Sequence, residues 1–455
     1  MIQLVEQSRK GAGTQKAGRQ ADMSNPAWLD DLRAVAGQHF AKVGFPSAET
    51  EEWRHTHFAP IIKHAYRSAA IDILPETADL ARSFEFGDAA ACELVFVNGR
   101  FAPELSQLAD LPRGVKVGSL ANALTSDGTT IQQHLGKYAK IEQNPFVAWN
   151  TGHIDDGALV QIAAGTAIEK PIHLLFLSQP SADPAVAHPR TLIIAERGAI
   201  ASIVETYAGT EGGTHLTNAV TEISVGEDAN LDHCKFQQEQ ATAYHLATMQ
   251  VNMGRSSNFV SHSITLGGAI TRNDLRVILD GEHAYATLNG LVVIEGSQHV
   301  DNHTRLDHER AHCPSHELYK HVLDGKASAV FKGKIFVQKD AQKTDSKQTS
   351  KTLLLSDDAQ MNSQPALEIY ADDVKCTHGS TIGPVDDEMV FYLRSRGISD
   401  ETSRHLLTYA FAADVTRRIK IEPVRRRIEN YMAAKHGLPQ DLRISDLGAH
   451  DDAAV

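Results

Sequence analysis

The sequence predicts a mainly β protein, a right-handed parallel β-helix core flanked by N-terminal and C-terminal helical regions, and three observations carry that prediction. From about residue 155 to 385 the chain is a procession of short strands rich in Val, Ile, Leu and Thr, broken by Gly, Asp and Asn rather than by long helices. Several of these segments share one shape: an apolar strand, a Gly, Asp or Ser turn, then a small residue opening a second strand. Aligning the small residues Ala199, Ala229, Ser257 and Ala284 gives steps of 30, 28 and 27, the loose period of a solenoid in which each coil completes its neighbours' core. Thirdly, apolar residues at helical spacing flank this region on both sides. An antiparallel sandwich is the competing architecture, but some 230 residues of strand exceed its usual size.

Taken in order, residues 1–22 are polar and read as a disordered extension or the product of an upstream start site. A helical and mixed region follows over 23–150. It opens with Trp28, Leu29, Leu32, Val35, Ala36 and Phe40 at helical spacing. Glu93 to Phe101 then reads strand, turn, strand, because Asn98-Gly99 readily takes the positive φ angles of a tight turn. Residues 120–150 turn helical again, with Pro145-Phe146 at the boundary. The β-helix core is placed at 151–390 and a C-terminal helical region at 391–440. In the latter, Ser399 is a good N-cap, Leu406, Leu407, Ala410, Phe411 and Val415 form an apolar stripe, and Pro423 opens a second helix that stops near Gly437. Arg417, Arg418, Lys420, Arg425, Arg426 and Arg427 lie between and along these helices, a solvated basic face or a docking surface. Residues 441–455 read as a loose tail.

Lys plus Arg number 44 and Asp plus Glu 57 in 455 residues, a net charge of −13 that argues against a general nucleic-acid or anionic-membrane binder. The four cysteines, Cys92, Cys234, Cys313 and Cys376, are scattered without a CxxC pair, which excludes a disulfide framework and fits a reducing compartment. No stretch approaches the roughly eighteen apolar residues of a membrane span, and no signal-peptide pattern is evident, so a cytoplasmic protein is expected.

Two segments could carry chemistry. Six of the 23 histidines crowd together as His299, His303, His308, His312, His316 and His321, with Cys313 among them. Imidazole and thiolate are metal donors, so His312 and Cys313 are weak metal candidates, set against histidines simply hydrogen-bonded at coil corners. Cys376-Thr377-His378-Gly379 is sharper, because residues two apart lie on the same side of an extended strand. A soft sulfur beside a borderline nitrogen suits iron or a sulfur atom in transit, and two donors leave positions for a partner to complete. A buried cysteine and a satisfied histidine is the bland alternative. No GxxxxGK[ST] phosphate loop and no G-x-S-x-G elbow occurs, so ATP hydrolysis would come from another chain. A stand-alone β-helix enzyme acting on carbohydrate and a metal store built on 299–321 are the rival functions.

Longer motifs are more specific. They are Glu51-Glu52-Trp53-Arg54, Val97-Asn98-Gly99-Arg100-Phe101, Asn144-Pro145-Phe146, His188-Pro189-Arg190, Glu205-Thr206-Tyr207, Asp307-His308, His312-Cys313, Leu318-Tyr319-Lys320 and Lys343-Thr344-Asp345-Ser346-Lys347-Gln348-Thr349-Ser350. With them, from about residue 25 to 436, the chain resembles the SufB/SufD family of SUF iron–sulfur cluster assembly subunits. Residues 373–383, with Phe391-Tyr392-Leu393-Arg394-Ser395-Arg396-Gly397-Ile398, place it on the SufD side, since SufB is more acidic there and carries an N-terminal cysteine cluster missing here.

The resemblance implies a scaffold subunit that is not an enzyme itself. It implies a complex of one SufB-like subunit, one SufD-like subunit and two copies of the ABC-type ATPase SufC, with sulfur delivered by a cysteine desulfurase system. Cys376 and His378 would sit near the interface with the SufB-like subunit, where a transient iron–sulfur cluster forms, His378 as iron-side ligand and Cys376 as auxiliary thiol. The helices over 397–436, with Ser399, Leu406, Leu407, Phe411, Arg417 and Arg418, would dock the ATPase. Reduced flavin is implied for the complex without contacts assigned to this chain, and a homodimer of the isolated chain is left open.

Overall fold

The computed structural model describes residues 26–46, 50–69, 72–108 and 111–438; the expected extension 1–22 and tail 441–455 lie outside them. Between residues 158 and 383 the chain winds as a parallel β-solenoid, each coil contributing one strand to each of two facing sheets. The first sheet runs through Arg190–Ala195, His215–Val225, Tyr244–Met253, Ile270–Leu279, His299–His308 and Ser328–Val337, every strand parallel to the one a coil earlier. The second runs through Ile200–Gly209, Asn230–Gln238, Asn258–Thr265, Tyr285–Ile294, Pro314–Leu323, Asp345–Leu354 and Lys375–Gly383 in the same way. Crossing from one sheet to the other within a coil lets parallel strands pair without intervening helices.

The repeat read from the sequence is one corner of this coil. Ala199, Ala229, Ser257 and Ala284 are all buried there, and Cys313 and Thr344 take the next two places. Each follows a residue in left-handed backbone: Gly198, Asp228, Ser256, His283, His312 and Lys343 have φ between 53° and 68°. Their amides donate to the next coil, as from Asp228 to the Arg255 carbonyl at 2.9 Å and from Ser256 to the Glu282 carbonyl at 2.8 Å. A non-glycine residue in that conformation costs on the order of 1 kcal/mol, which the ladder of stacked corners offsets.

The two ends differ. At the N-terminal end both sheets close with antiparallel pairs, Cys92–Val97 with Arg100–Phe101 and Val115–Ser119 with Ala158–Ile162. Asn98 and Gly99 make the turn with φ of 52° and 82°. Leu94, Phe96, Ile172, Leu174 and Phe176 plug the lumen at this end, all in one apolar cluster, with the Phe96 and Phe176 rings stacked at 4.8 Å. At the other end Lys375–Gly383 has a partner on one side only, and the first sheet finishes in the short strands Gln360–Ser363 and Ala366–Ile369. No described element covers this edge, and Ile369, Tyr370 and Ile382 are exposed on it.

Helices cover the outer faces. Ala27–Val43 and Pro145–Gly152 pack together, and Trp53, Phe58, Phe146 and Trp149 bury the first sheet's Leu216, Leu246 and Ile270. Asp400–Thr416 and Glu422–Lys435 lie over the second sheet, joining Tyr409, Val415 and Ile428 to Val204, Phe236, Ile264 and Leu291. Ser399 does cap its helix, accepting from the Thr402 amide at 3.1 Å.

One buried ion pair ties the N-terminal region to the solenoid. Arg190 and Glu222 are both fully buried and bonded to each other. Glu222 also accepts the amides of Gly136, Tyr138 and Ala139 at 2.8–2.9 Å, while Arg190 donates to Asn150 and Thr151. Removing the arginine strands a carboxylate inside. Arg190→Leu is expected to lower stability by about 3–5 kcal/mol, read as a lower denaturation midpoint, and adding Glu222→Leu is expected to recover little, because the amides of Gly136, Tyr138 and Ala139 then lose their acceptor.

Candidate functional site

Strand parity governs what the lumen contains. On the second sheet the inward residues of the last three strands form columns in register: Ser315, Ser346 and Cys376; Glu317, Gln348 and His378; Tyr319, Ser350 and Ser380. Cys376 packs on the interior core, and the Ser380 hydroxyl crosses to the Ser363 hydroxyl of the facing sheet at 2.8 Å. Cys376 and His378 therefore point into the open mouth of the solenoid, the thiol half-buried and the imidazole exposed. Partial burial raises the Cys376 pKa above its ordinary value, with the Asp345 carboxylate adding to it.

Behind these two residues the lining is polar. The Ser315 and Ser346 hydroxyls lie 2.7 Å apart, and His308 Nε2 reaches Ser315 at 3.0 Å. Gln348 donates from Nε2 to Glu317 Oε2 at 2.6 Å. Gln348 can cross the lumen because Gly333 on the facing sheet has no side chain; a Cβ there would lie 2.2 Å from the Gln348 amide nitrogen. Burial pushes the Glu317 carboxyl up to about 7, opposed in part by the nearby Thr304 and Gln348 side chains. Deeper in, Lys235 donates to Asn273 at 2.7 Å and Asn273 to Asn302 at 2.9 Å.

The histidine-rich stretch is dispersed by the coil. His299 and His303 lie on the outer face of the first sheet, where His299 meets Thr56 and Ser328 and His303 meets Asp301. His308 and His321 are buried, each held near 4 by burial. His316 is exposed on the outer face of the second sheet. His312 occupies a left-handed corner, exposed and stacked on His283 at 5.0 Å. Cys313 is fully buried next to it, its thiol donating to the Gly281 carbonyl at 3.2 Å and pushed up to about 11 by burial. Nothing brings His312 and Cys313 together as ligands, and among the described residues no group of three or more His, Cys, Asp or Glu side chains is placed to hold a metal. The weak metal pair becomes a corner motif.

The C-terminal residues also sort differently from their sequence grouping. Leu406, Leu407 and Phe411 turn toward the solenoid and pack partly buried against its apolar side chains. Lys320 of the solenoid donates to the Phe411 carbonyl at 3.1 Å and pairs with Asp414 at 2.6 Å. Arg417 and Arg418 remain at the surface, each also near Asp414. Met389, with Phe391 and Tyr392 of the family motif, is exposed on helix Asp387–Ser395, and the sequence marked none of the three as a docking contact. Two clefts, one lined by Gly87, Glu93, Leu108 and Lys170 and the other by Asp324, Leu355, His405 and His436, contain no Phe, Tyr or Trp face for an isoalloxazine ring. Neither fits flavin.

Residues 15–174 match the SufBD protein N-terminal region, and residues 176–411 match the SUF system FeS cluster assembly SufBD core domain. The chain belongs to the SufBD family. Among SufBD relatives, it is 31% identical to an iron-sulfur cluster assembly SufBD family protein of Synechocystis, over 96% of this chain and 98% of that one. It is 32% identical to the iron-sulfur cluster assembly protein SufD of Escherichia coli, over 86% and 89%, and 23% identical to SufD of Bacillus subtilis, over 90% and 94%. The chain is thus a SufD-like member of an iron–sulfur cluster assembly family. No helix among the described residues is long and apolar enough to cross a membrane.

Of the four thiols in this SufBD protein, Cys92, Cys234 and Cys313 are buried and only Cys376 reaches solvent. Iodoacetamide on the native chain is expected to modify Cys376 alone, slowly at neutral pH because the thiol is held protonated, and faster as pH rises beyond the ordinary thiol value of about 8.5. Peptide mass spectrometry reads it; the other three are expected to react only after unfolding.

Proposed function

We propose that this chain is a cytoplasmic, non-ATPase scaffold subunit that joins a SufB-like subunit through the open end of its solenoid, with the nascent iron–sulfur cluster as shared cargo. One observation carries the reading: a nine-residue edge strand, unpaired on its outer side, bears a thiol and an imidazole at the mouth of the lumen. An unpaired edge of that length is a template for another chain's strand. Exposed Ile369, Tyr370 and Ile382 beside it offer apolar area to the same partner. Two donors do not complete a four-coordinate iron site, so the remaining ligands come from across the interface.

In this scheme His378 takes the incoming iron on the exposed side and Cys376, once deprotonated, supplies an auxiliary thiolate. Sulfur arrives from a cysteine desulfurase system. A SufC ATPase docks on the C-terminal helices, with Met389, Phe391, Tyr392, Arg417 and Arg418 as the accessible contacts, while Leu406, Leu407 and Phe411 transmit movement to the solenoid. Nucleotide-dependent pairing of two SufC copies favours one arrangement of the end coils over the other, and that difference in affinity supplies the driving free energy. Two copies of this chain can pair by the same edge when the SufB-like subunit is missing. No step is routed through flavin.

Two observations weigh against the rival readings. Helices pack over much of the outer faces where a carbohydrate groove would lie, and the histidines of 299–321 are spread over different sides of the coil.

His378→Ala is expected to leave the co-expressed complex assembled while abolishing cluster formation from iron and sulfide, followed by absorbance. Normal yield from that complex would sink the assignment. Ile382→Asp, which puts a charge on the docking edge, is expected to cut recovery of the SufB-like subunit by about tenfold in co-purification while the solenoid stays folded.

A further inference from the structure

The interior of the last three coils is lined with polar side chains, and the scaffold reading leaves them without a task. Glu317 lies two strands in from the open edge, in the inward column that ends at His378. At about 4.8 Å per strand it is roughly 10 Å from the mouth. Its side chain is 3% exposed and bonded to Gln348, whose placement depends on the missing side chain at Gly333. Glu317 Oε1, Gln348 Oε1, Ser350 Oγ and Thr352 Oγ1 are buried without a protein partner. Polar atoms of that kind are solvated in folded proteins. Together with the Ser315 and Ser346 hydroxyl pair they make the lumen lining polar from Glu317 to the Cys376 and His378 positions.

We propose that Glu317 is the internal proton acceptor of the end-coil site, a positioning residue that takes up the protons set free as sulfur ligands bind iron. The proposal rests on the scaffold reading above. Binding of a thiol or hydrosulfide to iron releases its proton, and a partner seated on the open edge closes the direct route to bulk water. An S–H bond of Cys376 or of hydrosulfide breaks, an O–H bond forms on the Glu317 carboxylate, and no electron changes hands. The lumen hydroxyls carry the proton between them.

The surroundings suit that role. The groups facing Glu317 are Gln348 and Ser350 from the following strand, Leu288 from the preceding one, and Thr304 and Gly333 from the opposite sheet. The titratable neighbours His308, Tyr319 and His321 are all buried and held in their neutral forms. With burial as the main influence and no charged neighbour among the causes, the carboxyl sits at about 7 and is available in both forms at neutral pH. A carboxyl tied to a lysine or arginine would stay ionised and take up nothing.

The test uses the co-expressed complex, wild type and Glu317→Gln, with cluster formation from ferrous iron and sulfide followed by absorbance between pH 6 and 8. Wild type is expected to speed up as pH climbs through about 7. Glu317→Gln, which keeps the shape and the Gln348 contact, is expected to lose that rise and to run about tenfold slower at pH 8. Glu317→Asp is expected to restore the pH dependence in part. Infrared spectra of the isolated full chain across the same range are expected to show one protonated carboxyl band that disappears near pH 7 and is missing from Glu317→Gln. An unchanged pH profile in Glu317→Gln beside a defective His378→Ala overturns the proton-acceptor assignment alone. Full activity in His378→Ala overturns the scaffold reading beneath it, whatever Glu317→Gln does.

Discussion

In a parallel solenoid every strand obtains half of its backbone hydrogen bonds from the next coil, and the architecture of this protein follows from what happens where the next coil is missing. Amides and carbonyls buried without partners are costly, and exposed ones along an edge invite another strand, so an end is either folded over or open to sharing. The N-terminal end is folded over, with two antiparallel pairs and an aromatic plug. The C-terminal end is left straight, its last strand nine residues long and bare on one side. The candidate ligands sit on the bare strand and nowhere else.

The same register that stacks the coils also decides the chemistry. A residue's place in a column is inherited from coil to coil, so side chains far apart in sequence become neighbours at strand spacing. Ser315, Ser346 and Cys376 form one such column, and Glu317, Gln348 and His378 another. Leu94, Ile172 and Phe176 at the opposite end make the lumen apolar. The lumen thus runs from an apolar plug to a polar mouth, with the buried Lys235, Asn273 and Asn302 between them.

Much of this was legible in the sequence. The coil period came through because corners demand small buried residues, and Ala199, Ala229, Ser257 and Ala284 stand at them. Cys376 and His378 were legible as a pair because alternation along a strand depends only on counting. The histidine cluster read more readily as hydrogen-bonded coil histidines than as a metal site, and a strand and a corner do scatter these residues over several faces. Cys313 looked like a ligand and is the fifth small corner residue, which its neighbour's positive φ reveals and its letter does not. The polar lining of the lumen escaped, although Tyr319, Ser346, Gln348 and Ser350 stood in family motifs. In Pro314–Leu323 the inward positions hold Ser315, Glu317, Tyr319 and His321, the reverse of the apolar-inward pattern by which half-buried strands are recognised. Leu406, Leu407 and Phe411 were correctly apolar, but a stripe alone does not say whether it faces a partner or the chain's own solenoid.

The capped end has a consequence for synthesis. The plug and the antiparallel pairs are encoded before the coils, so a chain leaving the ribosome completes its closed end first, and every later coil docks on a finished template. The strand with the thiol and the imidazole is the last strand to be made, with only the C-terminal helices after it. The thiol and the imidazole are therefore presented only once the body that holds them is built, and an unfinished solenoid carries neither.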